Sequence, residues 1–393
     1  MSVAHRTIFP KDDYTRIARF FAPLREGLVY ADPSGWLDTV CNVADSITQP
    51  HITANGLARY CLDHGESLGA PKQIIANALS AWEGREIPRS EFTLFHSVSS
   101  ATLGVLMFLK ERGVNTLIME TPAYIVTIEQ AFTLGFKVVL LPSYEEDNFS
   151  INWPKALGRR PTQSALWLTQ PRMSLGYNQA PEEILRLSEE LSPGEFMIID
   201  EATEQIYPSH LREIAFAPQS HKVIRIRGLL KAVGLNGLRL AFVLHGATLR
   251  PSFEAVQETV GSSLDIFSLQ SAVSIAAAEG RLRQVLNAAN SQVVELRERA
   301  EALSYGTGVR VSHLVNGYIG CASVDFRGMS GNYAEKRKRL LKFCRTRKMP
   351  VLLGRNMRFA FDCNREHIRL NYFLQSHHIT RAVKVLADFV EES

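Results

Sequence analysis

Between residues 92 and 200, short apolar runs alternate with helical segments, and this alternation constrains the fold more than any other feature of the chain. The apolar runs predict strands at Phe92–Phe95, Thr116–Glu120, Lys137–Leu141, Ala165–Leu168 and Glu195–Ile199. A strand–loop–helix–strand order is typical of a parallel sheet with crossover helices on its faces. We therefore expect an α/β fold whose large domain holds a mixed, mostly parallel sheet flanked by helices.

The remainder of the chain predicts a second, smaller unit. Beyond about residue 305 shorter strands are expected at 318–326, 350–353 and 367–373, accompanied by helices. We expect an N-terminal arm with part of the small domain at 1–45, a large domain at 46–285 and a small α+β domain at 286–393. The first residues resemble an amphipathic helix that carries Phe20 and Phe21.

Composition excludes several classes of protein. Among the 393 residues, 46% are hydrophobic and 21% are charged, which is ordinary for a globular chain. The net charge is +4. The densest basic cluster, between 336 and 348, is interspersed with leucines, so we interpret it as the solvent-exposed face of a helix and not as a nucleic-acid site. We expect no nucleic-acid partner.

Membrane and metal sites are not expected either. No apolar run approaches the length of a membrane span, and charges interrupt the N-terminal segment. The five cysteines are far apart, without the C-x-x-C spacing of a zinc site, and clustered histidine and acidic ligands are missing. This pattern predicts no structural disulfide and fits a reducing, cytoplasmic compartment.

One lysine, Lys231, follows a strand-like run and lies among small and apolar residues. Poor solvation lowers the pKa of an amine and makes it available for imine chemistry. Arg239 follows eight positions later, where it could hold an anion such as a phosphate. From this stretch alone, a surface lysine between two strands explains the pattern equally well.

Polar side chains also occur where the predicted strands end. Asp200 ends one strand, and ligands of open α/β sheets lie beyond the carboxyl ends of strands, although a helix-capping aspartate is an alternative. Ser99 and Ser100 occupy a strand-to-helix turn that suits a phosphate, although serines also cap helices routinely.

Taken in order, these pieces resemble the pyridoxal-phosphate-dependent aspartate aminotransferase superfamily, fold type I, over roughly residues 30–390. The resemblance implies that Lys231 carries the cofactor as an imine, that Asp200 pairs with the pyridine nitrogen and that Arg239 grips the phosphate. It further implies that Arg369 binds the α-carboxylate of an amino-acid substrate, and that the protein is a homodimer. The remaining implied cofactor contacts are Ser99 and Ser100 at the phosphate and Tyr124, which stacks on the ring. Tyr60 is implied to bind the phosphate of the cofactor in the partner subunit.

The sequence departs from the pattern of the superfamily at several positions. The usual Asn-Pro-x-Asn-Pro-Thr-Gly motif is replaced by residues 170–176, so that Met173 stands where an asparagine normally touches the phenolic oxygen of the cofactor. Thr203 replaces the tyrosine that donates to the same oxygen, and Gly228 replaces a serine that binds the phosphate. Gln170 or a water molecule could supply the missing donor.

Three functions remain open on the sequence alone. The default is an aminotransferase-like enzyme of amino acid metabolism and biosynthesis. The second is another pyridoxal-phosphate reaction, such as β- or γ-elimination or replacement, oxidation, decarboxylation or cyclisation in specialised metabolism. The third is a non-catalytic binding protein on the same fold. The substrate is not predicted: Arg172, Arg225 and Arg227 could select an acidic side chain, or could each be structural.

Overall fold

The computed structural model describes residues 69–158, 160–211, 222–228, 239–261, 264, 266–313, 315–349, 351–374 and 376–393. The predicted N-terminal arm, Tyr60 and Lys231 lie outside these residues. No helix in the described ranges has both the length and the apolar character needed to cross a membrane.

A seven-stranded sheet forms the centre of the structure. Its strands are β1 (Phe92–Phe95), β2 (Thr116–Glu120), β3 (Lys137–Leu141), β4 (Ser164–Thr169), β5 (Phe196–Glu201), β6 (Val223–Arg227) and β7 (Ala241–Leu244). Their order is β1-β7-β6-β5-β4-β2-β3, and β7 runs antiparallel to both of its neighbours while the other pairs are parallel. The predicted mixed, mostly parallel sheet is confirmed.

Helices cover both faces of this sheet, because side chains that alternate along each strand are apolar on both sides. The helices are α1 (Gly69–Glu83), α2 (Val98–Glu111), α3 (Ile125–Thr133), α4 (Trp153–Leu157), α5 (Pro181–Glu189), α6 (Arg250–Gly261) and α7 (Ile266–Ala277). In β5, Ile198 packs with α2, α3 and α6, whereas its neighbour Ile199 packs with α4 and α5. The sheet is therefore buried between two helical layers.

The pattern-based prediction differs from the structure in a few elements. From residue 251 to 280 the sequence pattern predicts one helical segment, whereas the structure has two helices there, α6 and α7, on either side of Leu264. The short helix α4 was not predicted, and neither was the three-residue strand β8 (Val309–Val311). Elements this short offer too few residues for a periodic pattern to be recognised.

A second, three-stranded antiparallel sheet contains β8, β9 (Ile319–Asp325) and β10 (Arg365–Asn371). One of its faces, with Ala322, Val324, Ile368 and Leu370, packs in a core with α8 (Glu279–Ser304), α9 (Tyr333–Thr346) and α10 (Ser376–Glu391). The strand predicted at 350–353 is only a single bridge, between Leu353 and Ile368. The smaller α+β unit is thus present.

The other face of the small sheet is polar. Cross-strand partners in an antiparallel pair project to the same side, so the register places Arg310, Ser323 and His367 in one row. Cys321 and Arg369 form the neighbouring pair. The helix α8 contributes to the cores of both units, and the domain limits at residues 45 and 285 stay predictions.

Candidate active site

Asp200 lies at the carboxyl end of β5, between β4 and β6 in the centre of the large sheet. It is 5% exposed, and its Oδ1 accepts a hydrogen bond from the backbone N–H of Ala202 at 3.1 Å. Its backbone carbonyl accepts from Gln170 N at 2.8 Å, which ties the ends of β5 and β4 together. A carboxylate is thus held where an open α/β sheet places its ligands.

Tyr124 lies beside Asp200. It follows β2 and immediately precedes α3, and it is half-buried. Burial raises the pKa of the Tyr124 hydroxyl, the negative charge of Asp200 raises it further, and Arg239 lowers it. These effects indicate that Asp200 and Arg239 lie within electrostatic range of the Tyr124 hydroxyl. Arg239 is exposed, and its backbone N–H donates to Ser268 Oγ at 3.0 Å.

The turn that carries Ser99 and Ser100 forms the start of α2. Ser97 and Ser100 make a reciprocal capping box: Ser97 Oγ accepts from Ser100 N at 3.1 Å and Ser100 Oγ accepts from Ser97 N at 2.9 Å. Ser100 therefore acts as a cap, as the alternative interpretation allowed. The Ser99 carbonyl accepts from Gln130 Nε2 at 3.0 Å, and its hydroxyl forms no hydrogen bond within the described part of the chain.

Gly228, the residue that follows β6, lies directly against the turn that begins α2. A Cβ atom on Gly228 would lie 2.9 Å from Val98 Cγ2 and 3.5 Å from the carbonyl oxygen of Ala202. Glycine is therefore needed where the superfamily has a serine, because any side chain would collide with Val98. Gly228 itself lies between Ala202, which follows β5, and Val98 at the start of α2, and Lys231 is outside the described residues.

Residues 170–177 form a tight loop that follows β4. Ser174 and Gly176 have positive φ angles of 57° and 71°. Gln170 is fully buried, with its amide oxygen accepting from Gln179 N at 2.9 Å and its amide nitrogen donating to Gln179 Oε1 at 3.0 Å. The Gln170 amide is therefore engaged with Gln179, and Met173, half-buried, has no polar hydrogen to donate.

Arg172 anchors the same loop. Its guanidinium is 3.1 Å from Glu120 Oε2 and donates to the carbonyl of Thr121 at 2.8 Å and to Ser143 Oγ at 3.2 Å. Both Arg172 and Glu120 are almost fully buried. Because its donors are directed at these partners, Arg172 stabilises the loop, which favours the structural alternative over substrate selection.

A turn from the small unit, residues 315–318, packs against Thr203 and was not identified from the sequence. Asn316 Oδ1 accepts from Gln205 N at 2.8 Å, and Asn316 N donates to the carbonyl of Gly176 at 3.0 Å. A Cβ atom on Gly317, whose φ is +71°, would lie 2.7 Å from Pro171 Cγ and 3.0 Å from the carbonyl oxygen of Thr203. The turn therefore contacts Thr203 and the loop 170–176, two of the places where the sequence departs from the superfamily pattern.

Tyr318 is the last residue of this turn, and it lies on the side of the candidate site. Its ring stacks on Phe373, with centroids 4.0 Å apart and an interplanar angle of 7°. Burial raises the pKa of the Tyr318 hydroxyl, and Tyr124 raises it further, so the two tyrosines lie close together. No motif marks Tyr318, since the small unit reaches the site only through tertiary packing.

Arg369 is at the centre of β10, on the polar face of the small sheet. It is 9% exposed, and its backbone N–H donates to the Leu352 carbonyl at 3.0 Å. Burial lowers the pKa of Arg369 to about 9, because desolvation disfavours the charged guanidinium. An anionic ligand would offset that desolvation by pairing with the guanidinium.

Arg225 and Arg227, on β6, belong to a buried ion cluster beneath Asp200. Arg225 contacts Glu83 at 2.5 Å and Glu201 at 2.7 Å, while Arg227 pairs with Glu83 and Glu204. Burial alone would raise the pKa of Glu204, but Arg227 and then His210 lower it to about 2. Both arginines are thus engaged in joining α1 to the ends of β5 and β6, which favours the structural alternative for them as well.

The described residues fit a pyridoxal phosphate group. The buried carboxylate of Asp200 suits a protonated ring nitrogen, and the Tyr124 ring suits stacking on an aromatic face. Arg239 and the start of α2 with Ser99 suit a phosphate. These residues come from separate elements, α2, β5 and the segments that precede α3 and β7, and the sheet brings them to one edge.

Comparisons with known proteins agree with this fold. The family described as aminotransferase class I and II matches residues 74–306. An aromatic aminotransferase from Pyrococcus horikoshii superposes with a TM-score of 0.69 at 18% identity, covering 90% of this chain and 98% of its own. A double mutant of Thermus thermophilus aspartate aminotransferase gives 0.72 at 14% identity, covering 98% of this chain and 97% of its own.

A third similar structure is YbdL from Escherichia coli, for which a methionine aminotransferase function is described, with a TM-score of 0.69, 14% identity, and coverage of 92% of this chain and 100% of its own. No curated protein sequence matches the chain. The structural likenesses show the fold, and the family match spans more than half of the 393 residues. The chain is thus an aminotransferase-like enzyme that belongs to the pyridoxal-phosphate-dependent aminotransferase class I and II family.

Proposed function

We propose that this enzyme acts on an α-amino acid in an aminotransferase-like reaction, with Lys231 holding pyridoxal phosphate covalently through its amine. The observation that carries the proposal is the convergence of Asp200, Tyr124 and Arg239 at one edge of the sheet. Gly228 brings the chain to this edge three residues before Lys231. When bound, the cofactor supplies an electron sink for negative charge that develops on the substrate.

The residues of the site take distinct roles in this proposal. Asp200 holds a proton on the pyridine nitrogen, which requires a carboxylate that stays ionised and shielded from water. Tyr124 covers the face of the ring. Arg239, the start of α2 with Ser99 and Ser100, and Tyr60 from the second copy of a homodimer bind the phosphate. Because Ser100 Oγ already accepts from Ser97 N, Ser99 offers the freer hydroxyl.

Arg369 binds the α-carboxylate of the substrate. Its planar guanidinium matches a carboxylate with two parallel hydrogen bonds, and the surrounding burial strengthens such a pair. Tyr318 and Phe373 form the apolar wall between Arg369's sheet and Tyr124. The substrate is therefore held between the small sheet and the edge of the large one.

The role of Lys231 is tested by borohydride reduction of the purified holoenzyme. We expect the parent protein to retain the cofactor covalently after reduction, as detected by intact mass. Lys231→Ala should lose that adduct while keeping its fold, and Lys137→Ala, at an exposed lysine of β3, should keep the adduct. An undiminished adduct in Lys231→Ala would refute the assignment.

A second reaction class is supported by Met173 and Thr203. Gln170 is occupied by Gln179, and a methionine has no donor for the phenolic oxygen of the cofactor. Fewer donors at that oxygen change how negative charge is distributed and raise the proton affinity of the neighbouring nitrogen. Elimination or replacement at Cβ or Cγ, oxidation, decarboxylation or cyclisation is therefore the alternative to transamination.

The two reaction classes are separated by a Met173→Asn, Thr203→Tyr double variant. We expect the parent holoenzyme to change its absorbance at a higher pH than the variant and to exchange amino groups between donor and keto-acid pairs more slowly. Products from a panel of amino acids, identified by mass, show which reaction occurs. Equal titration and equal exchange rates in both proteins would leave transamination as the reaction.

We further propose that the enzyme is a cytoplasmic homodimer. The described cysteines, Cys321, Cys344 and Cys363, are all free thiols, which is consistent with a reducing compartment.

A further inference from the structure

One glutamine of α3, Gln130, reaches the first turn of α2, where the phosphate of the cofactor is proposed to bind. Its amide nitrogen Nε2 donates to the carbonyl oxygen of Ser99 at 3.0 Å. Ser99 is the second residue of α2, so its carbonyl also lies along the helix, in the direction of the amide four residues later. Gln130 therefore adds a hydrogen bond from a different helix to a turn that α2 already forms.

The same turn is held from its other side by His96, the residue that precedes the capping serine. His96 Nε2 donates to the carbonyl oxygen of Gly261 at 2.8 Å. Gly261 ends α6, and a Cβ atom there would lie 2.5 Å from His96 Cδ2, so the imidazole ring is in direct contact with this backbone. The turn is thus connected to α6 through His96 and to α3 through Gln130.

Helix α3 also links this contact to the side chain that is proposed to cover the cofactor ring. Tyr124 immediately precedes α3, and Gln130 follows within about two turns of the same helix. Because both residues belong to one short helical element, the hydrogen bond to Ser99 holds the proposed ring contact and the proposed phosphate contact in a fixed relation.

The packing of α3 does not by itself explain a glutamine at this position. Gln130 Oε1 is buried and has no hydrogen-bond partner among the residues that the structure describes. An unpaired buried amide oxygen costs free energy, so an apolar side chain of similar length would pack there at least as well. The part of the side chain that is used is the amide nitrogen, which binds the Ser99 carbonyl.

We propose that Gln130 is a positioning residue for the phosphate-binding turn, a role that rests on the proposed function. By holding the Ser99 carbonyl, Gln130 sets the direction of the Ser99 hydroxyl and of the free N–H groups at the start of α2. A phosphate then binds without first ordering the turn, and such preorganisation raises affinity. Gln130 acts through Ser99 and does not itself contact the phosphate.

The test compares pyridoxal phosphate with pyridoxal, which has the same ring but no phosphate. Each compound is titrated into the full chain after removal of the resident cofactor, and binding is followed by absorbance. Gln130→Met should bind pyridoxal phosphate about fivefold more weakly than the parent, as expected for one lost hydrogen bond, and should bind pyridoxal equally well. Gln73→Met, at an exposed glutamine of α1 that donates to Asn77, should bind both compounds as the parent does.

A stability measurement separates positioning from a purely structural role. Thermal unfolding of cofactor-free Gln130→Met should match that of the parent, because the loss of the Ser99 contact and the removal of the unpaired oxygen oppose each other. Gln130→Asn keeps the amide but is one methylene shorter, so it loses the contact with Ser99. It should therefore show a similar loss of affinity for pyridoxal phosphate, and it provides the test if the methionine variant does not fold.

Three outcomes would overturn the proposal. Equal affinity of the parent and both Gln130 variants for pyridoxal phosphate would show that the turn does not need the glutamine. A loss of the same size for pyridoxal would show that Gln130 supports the fold in general. These two results leave the proposed function intact, whereas a parent protein that binds pyridoxal phosphate no more tightly than pyridoxal would overturn the proposed function as well.

Discussion

Gly317 is one of the residues through which the small unit packs against the candidate site. Its positive φ of +71° is readily available only to glycine, and a Cβ atom there would collide with Pro171 and with the backbone of Thr203. Thr203 is also the position where the superfamily has a larger tyrosine. The short side chain and the glycine together allow the turn to lie against the end of β5.

We therefore expect Gly317→Ala to destabilise the protein by about 2–4 kcal/mol, from the strained φ and from overpacking. Gly328→Ala is the matched control, because Gly328 has a similar φ of +80° but open space around its Cα. It should cost only about 1 kcal/mol. Chemical denaturation of the two variants measures the difference in their free energies of unfolding. Equal losses in both variants would show that Gly317 is not tightly packed against Thr203.

Arg369 allows a second test at the level of a single residue. Arg369→Lys keeps the charge but loses the planar pair of donors, so amino-acid binding should weaken by about 1.5–3 kcal/mol. Titration of the holoenzyme with amino acid, followed by cofactor absorbance, measures this loss. Arg381→Lys, at an exposed residue of α10, serves as control. The role is wrong if amines without a carboxylate react with the parent enzyme as well as amino acids do.

Among the elements, β5 and β6 determine the geometry of the site, and the buried ion cluster holds their ends. Glu201 follows Asp200 directly, and Arg225 of β6 joins Glu201 to Glu83 of α1. Burying these charges is costly unless each one is paired. The cluster therefore fixes the strand that carries Asp200 and the strand that leads to Lys231.

Removing Arg225 should expose that cost. Arg225→Met leaves Glu201 without its buried ion-pair partner and leaves Glu83 paired with Arg227 alone, and we expect a loss of about 3–5 kcal/mol in the free energy of unfolding. Arg250→Met is the control, since Arg250 pairs with Glu254 at 2.7 Å on an exposed surface of α6. It should change stability by about 0.5 kcal/mol or less. Comparable losses in the two variants would contradict a structural role for the cluster.

The regular elements could be predicted from the sequence because their patterns are local. The strands 92–95, 116–120 and 137–141 have the predicted bounds, since packing against helices on both faces makes most of their residues apolar. Asp200 was placed at a strand end for the same reason. The turn of Asn316 to Tyr318 and the partners of Arg172 could not be predicted, because they depend on contacts between segments more than a hundred residues apart or on the packing of one loop.

At the scale of the whole molecule, the proposed cofactor contacts lie on the large unit and the proposed substrate contact, Arg369, lies on the small one. Arg369 and Tyr318 belong to the small unit, whereas Asp200 and Tyr124 belong to the large one. The site is complete only when both units are in contact.

The last prediction concerns assembly. The sequence predicts an amphipathic N-terminal arm with Phe20 and Phe21, and a contiguous apolar patch of this kind is rarely left in water. The proposed role of Tyr60 also requires a second copy of the chain. Sedimentation at micromolar concentration should therefore give twice the 44.0 kDa mass of the chain. A Phe20→Ser, Phe21→Ser double variant should shift the protein toward monomer, whereas Phe361→Ser, at a phenylalanine that is 69% exposed, should not. A parent protein that sediments as a monomer with its cofactor bound would rule the dimer out.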